Sequence, residues 1–141
     1  MENLSLICIY SGGALSLFMG IFHTRFFRLF KWEEEFIKVS QINKKIFYTI
    51  HLALLLLFFG IAFISMFYAK ELSLSNGLSS GFNLMYSLFW LWRTLWQIFY
   101  FKPDRNRQSL SIHYILTLYF FLLFVSYFTP VMLRLITGIN S

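Results

Sequence analysis

Acidic residues are scarce in this chain, and none falls inside a long apolar segment. There are six Asp and Glu residues among 141. Three form the run Glu33-Glu34-Glu35, and Glu2, Glu71 and Asp104 lie at the N-terminus or in connections. That absence argues against a membrane-embedded hydrolase built on a carboxylate, and against a transporter that carries its proton on a buried acid. No Gly-x-Ser-x-Gly or His-Glu-x-x-His pattern supplies an alternative catalytic centre. Cysteine is nearly absent too. Cys8 is single, so an intrachain disulfide and a cysteine-based metal cluster are both excluded. Charged residues of all kinds make up 13% of the chain, where soluble domains average about 25%.

Hydrophobic runs fill the space left by these absences. Four apolar segments, at about 4–23, 46–69, 80–101 and 112–137, each reach the ~20 residues that cross a ~30 Å hydrocarbon core. They do not alternate as barrel strands would. They predict an all-α, polytopic membrane protein: one domain over 1–141, folded as an up-down bundle of four transmembrane helices. The first segment lacks a basic start and a small-residue cleavage site, and reads as a retained helix rather than a signal peptide.

The net charge of +6 follows topology rather than a nucleic-acid partner. Setting Arg93 aside, nine basic residues lie in the first and third connections, against Lys70 and Arg134 on the other side. The positive-inside rule then places both basic connections in the cytoplasm and both termini outside. Within the first connection Leu29, Trp32, Phe36 and Val39 recur at helical spacing, and Lys31/Glu35 and Glu34/Lys38 are four-apart charge pairs. This predicts a short amphipathic helix at about 26–40 on the membrane surface. The Glu33–Glu35 run reads as its solvated face. Asn76-Gly77 and Ser79-Ser80-Gly81 predict a turn. Pro130 is expected to bend or end the last helix. Gly12, Ser16 and Gly20 form a small-residue stripe, suited to tight packing within the bundle or to a homo-oligomer or partner contact.

The third segment is two-faced. Ser79, Asn83, Tyr86, Trp90, Arg93, Gln97 and Tyr100 recur at spacings of four and three, and each carries a polar atom. A charge at the centre of a bilayer costs roughly 2.5–3.5 kcal/mol or more, so this stripe is expected to face inward. Counting 1.5 Å per residue from Phe101 puts Gln97 ~6 Å and Arg93 ~12 Å deep. His51 enters from the same side, and His23 and His113 lie at helix ends there. His51, Arg93, Gln97, Trp90, Tyr100, His23 and His113 therefore form the candidate ligand-binding set, in the cytoplasmic leaflet. No catalytic residue is assigned.

Each member also has a structural reading. Terminal histidines are readily solvated, His51 and Gln97 suit interhelical hydrogen bonds, and Arg93 takes either a bound anion or protein carbonyls and phenols. The same set allows haem b, with His51 and His113 or His23 as axial ligands and Arg93 on a propionate. It allows a quinone, an anionic lipid head, or a three-histidine metal site as well.

His23, Phe27, Leu29-Phe30, Trp32, Ile42-Asn43, Leu88-Phe89-Trp90, Arg93, Gln97 and Phe99-Tyr100-Phe101 resemble a pattern in small uncharacterised four-helix bacterial inner-membrane proteins. The resemblance covers the chain to about residue 101 and implies a bacterial inner membrane, with no reaction. The leading expectation is a non-enzymatic ligand-binding or accessory subunit. A haem or quinone redox protein comes next. A small transporter or channel comes last, because inverted repeats are not evident.

Overall fold

The computed structural model describes residues 2–101 and 107–138, with backbone only for 107–109. These residues form helices and short connections, and no strand occurs among them. In order they are α1 (Glu2–Thr24), α2 (Phe26–Leu29), α3 (Trp32–Glu35), a 3-10 turn (Phe36–Lys38), α4 (Gln41–Phe67), α5 (Ala69–Leu74), α6 (Gly77–Phe99) and α7 (Arg107–Gly138). Three helices are long and apolar enough to cross a membrane: Glu2–Thr24, Gln41–Phe67 and Leu110–Gly138. At 1.5 Å per residue they measure about 34–43 Å, against a ~30 Å hydrocarbon core. Helix α6 equals α1 in length at 23 residues, but its polar stripe makes it less apolar.

The four long helices run alternately up and down. Residue pairs show this directly: on α1 and α4, Gly13 lies against Ser65 and Gly20 against Phe59. On α6 and α7, Tyr86 meets Tyr127 and Gln97 meets His113. The closely packed pairs are α6 with α7, α1 with α4, and α1 with α7. Helices α4 and α6 are not among them; a stack of Phe58 on Trp90, centroids 5.9 Å apart, joins them instead.

Hydroxyl groups tie the middle of the bundle. Tyr127 of α7 bonds Ser65 of α4 at 2.7 Å and Ser16 of α1 at 3.5 Å. Ser16 also meets Tyr86 of α6 at 3.4 Å. One side chain from each long helix thus enters a single network. The Tyr119 hydroxyl adds a bond to the carbonyl of Leu15. In an apolar environment such bonds are worth roughly 0.6–2 kcal/mol each. Close approach makes them reachable: a Cβ on Gly12 would lie 2.7 Å from the Tyr127 ring, and one on Gly13 would lie 2.9 Å from Ser65. The stripe of Gly12, Ser16 and Gly20 is therefore buried within the chain, and a contact between copies through it is set aside.

Three local expectations are corrected. The surface segment is not one helix: Lys31 adopts a left-handed conformation with φ 45°, which ends α2 and turns α3 back. That geometry is costly for a side-chain-bearing residue, and it folds Trp32 over the bundle end. The ion pair formed there is Lys31 with Glu34 at 3.8 Å, in place of the expected partner Glu35. The second connection is not a plain turn, since it contains α5, whose Ala69, Leu72 and Ser73 are buried. Asn83 donates to the Leu72 carbonyl at 2.8 Å and so caps α5. Finally, α7 continues through Pro130 to Gly138. Lys102–Asn106, part of the third connection, lies outside the described residues.

Candidate functional site

The polar stripe of α6 faces the bundle from Asn83 to Gln97. Asn83, Tyr86, Trp90 and Gln97 are buried, and Arg93 is half-buried. Tyr100 does not belong to the site. It lies past the end of α6, is 66% exposed, and stacks on Trp96 at 4.6 Å.

Arg93, Gln97 and His113 form a chain whose polarity is settled by chemistry. A guanidinium only donates, so Arg93 Nη1 bonds the Gln97 carbonyl oxygen, at 3.0 Å. The amide nitrogen of Gln97 then faces His113 Nδ1 at 3.2 Å. An amide NH2 only donates, so Nδ1 accepts and the neutral imidazole carries its proton on Nε2. Arg93 sits over two rings: its Cζ lies 4.4 Å from the Phe120 centroid and 5.1 Å from that of Phe101. Such contacts favour a cation, yet no carboxylate pairs with Arg93 among the described residues.

His51 and His23 form the second group. His51 is 4% exposed, and its Nε2 has no hydrogen-bond partner among the described residues. Four rings surround it: Phe27 at 4.8 Å, Trp32 at 5.1 Å, and His23 and Phe26 at 5.9 Å. His23 is held by a bond of 3.1 Å from its Nδ1 to the Met19 carbonyl, so Nδ1 carries the proton and Nε2 has its lone pair free. The groups connect through rings: His23 lies 4.8 Å from Phe58, Phe58 stacks on Trp90, and Trp90 stacks on Phe120 at 5.5 Å. His23 also lies within electrostatic reach of Arg93.

The histidines thus share one end of the bundle but not one centre. No group of three His, Cys, Asp or Glu suited to a metal occurs among the described residues, which overturns the three-histidine reading. Haem fits poorly as well. Gln97 holds His113 through Nδ1, and His51 and His23 are packed among Phe26, Phe27 and Trp32, with no porphyrin-sized cavity recorded beside them among the described residues. The best-formed surface concavities lie elsewhere. One sits beside α5 and Phe82, the other along Trp92–Tyr100, and neither touches His23, His51, Arg93, Gln97 or His113. They are shallow and largely apolar, and the polar set of His51, Arg93, Gln97 and His113 lies apart from both.

Phe58, Phe120 and the surface hook 25–38 were not legible as site elements. Phe58 and Phe120 are two phenylalanines among 19, and only their partners distinguish them. Comparison with protein-family models, curated proteins and solved structures gave no match.

Proposed function

We propose that this chain is a multi-pass membrane protein that binds a small lipophilic ligand at its histidine/arginine end and acts as a ligand-binding or accessory subunit rather than an enzyme. The observation that carries this reading is Arg93. It is half-buried, lies among apolar side chains, and has among the described residues one neutral hydrogen-bond partner, Gln97. A guanidinium has five N–H donors, and a stably buried cation ordinarily meets an anion or several acceptors. A ligand head would supply what the described residues do not.

In this reading α6 crosses the membrane as the fourth helix, since its charge is turned inward and its other face is apolar. Both termini are outside, the basic connections face the cytoplasm, and the membrane is the bacterial inner membrane. Labelling tests the orientation in a Cys8→Ala background. A cysteine at Leu78, 92% exposed, is expected to react from outside, and one at Ile37, 73% exposed, from inside. The reverse pattern would invert the leaflet assignment.

Native mass spectrometry of the purified protein tests the binding function. Wild type is expected to retain a small molecule that Arg93→Leu and His51→Ala release and Leu95→Ala keeps. Retention of nothing by wild type would end the ligand-binding reading. A Soret band in the absorption spectrum would bring haem back in its place.

A further inference from the structure

Resting on the ligand-binding reading above, we infer that the ligand is anionic, and that its phosphate or carboxylate oxygens take the free edge of the Arg93 guanidinium at the rim of the bundle. Three observations lead there. The first is the donor census. Arg93 uses one N–H on Gln97, Gln97 directs one amide N–H to His113 Nδ1, and the proton of neutral His113 is on Nε2. The remaining N–H groups of Arg93 only donate, so a partner must bring acceptors to them. A neutral carbonyl could accept one bond, but it would leave the charge uncompensated.

The second observation is the geometry of the cation. Phe120 and Phe101 lie at 4.4 and 5.1 Å from Cζ. The N–H bonds of a guanidinium lie in its plane, so a further hydrogen-bond partner meets its edge. Edge-on, two parallel N–H groups match the spacing of two oxygens on one carboxylate or phosphate, which is the bidentate geometry that distinguishes Arg from Lys. The third is access. Arg93 retains part of its surface, and α6 is not closely packed against α4. An amphiphile in the cytoplasmic leaflet can therefore bring its head to Arg93 while its chains stay among the exposed apolar side chains of the same helices. A water-soluble anion would offer the same oxygens without the chains.

Retention of lipid by native mass spectrometry separates these cases. Wild type would be loaded from mixed micelles holding equal phosphatidylglycerol and phosphatidylcholine, with and without inorganic phosphate. The inference requires preferential retention of phosphatidylglycerol, weakened roughly 10- to 100-fold in Arg93→Gln, the range for losing charge-assisted hydrogen bonds. It should be weakened less in Arg93→Lys and left intact in Lys45→Gln, an exposed cation of the basic connection. Displacement of the lipid by inorganic phosphate would show that a free anion suffices, and would support the shared chemistry.

Equal retention of both lipids by wild type would overturn the inference, and that comparison does not depend on any variant folding. A preference that survives in Arg93→Gln would overturn it too, by tracing the selectivity to surface cations. Arg93-dependent retention of a neutral molecule alone would sink the anion and leave the ligand-binding reading standing. An absence of any retained molecule would remove both.

Discussion

Two polar layers cross this bundle, and they are built on opposite terms. Around Tyr127 the hydroxyls of Ser16, Ser65, Tyr86 and Tyr127 satisfy one another across four helices, and all four residues are essentially inaccessible. Around Arg93 and His51 a cation has one neutral partner, and a buried ring nitrogen has none among the described residues. A buried polar group without a partner costs about 1–3 kcal/mol, and a charge costs more. Cores that serve only stability do not accumulate such groups in one place. The first layer is internally satisfied, and the second is where the ligand proposed above would find unpaired donors.

The largest expected effect breaks the hydroxyl layer. Gly12→Leu drives a side chain into the Tyr127 ring, 2.7 Å from the Cβ position. Overpacking and the displaced hydroxyl together should cost about 3 kcal/mol, read as a lowered thermal midpoint in detergent. Gly60→Leu, with nothing within 4 Å of its Cβ position, should be near neutral; equal effects would show that the layer is not under packing constraint. Next, Tyr127→Phe removes the hydroxyl alone and should cost about 1 kcal/mol while leaving ligand retention unchanged.

His51→Phe should behave in the opposite way. It replaces an unpartnered imidazole by a ring of similar shape in an aromatic shell. Stability should hold or rise by up to about 1 kcal/mol, and ligand retention should fall. A destabilised, ligand-competent His51→Phe would erase the distinction between the layers. The smallest effect belongs to Lys31→Gly. Relief of its left-handed backbone should gain about 0.5 kcal/mol, seen as slower amide exchange across 26–38.

The inward stripe was legible because a helix repeats every 3.6 residues, and seven polar atoms cannot fall into register on α6 by composition alone. It failed at Tyr100, where α6 has ended at Phe99 and the register no longer applies. Asn83 was legible as inward, but its partner, the carboxyl end of α5, was not. The residues of α5 read as a polar connection, and their burial comes from contacts with α1 and α6. The hook was misread because a left-handed lysine has no sequence signature. The grouping of the histidines at one end followed from counting depth. Their division into two sets did not, since it depends on Trp32, Phe58 and Phe120, which resemble every other aromatic residue here. The hydroxyl layer was hidden for a related reason. Its partners lie 62 to 111 residues apart, and no local pattern links them.

The hydroxyl layer also has a consequence for the order in which the chain is made. Its donors and acceptors come one from each long helix, and the residue that joins three of them, Tyr127, is in the last. A chain halted on the ribosome after α6 holds Ser16 and Ser65 with their common partner Tyr127 still untranslated. Ser16 and Tyr86 reach each other only weakly, at 3.4 Å. The layer is thus completed only by α7, and without it the Ser65 hydroxyl lacks the side-chain partner it has in the full bundle.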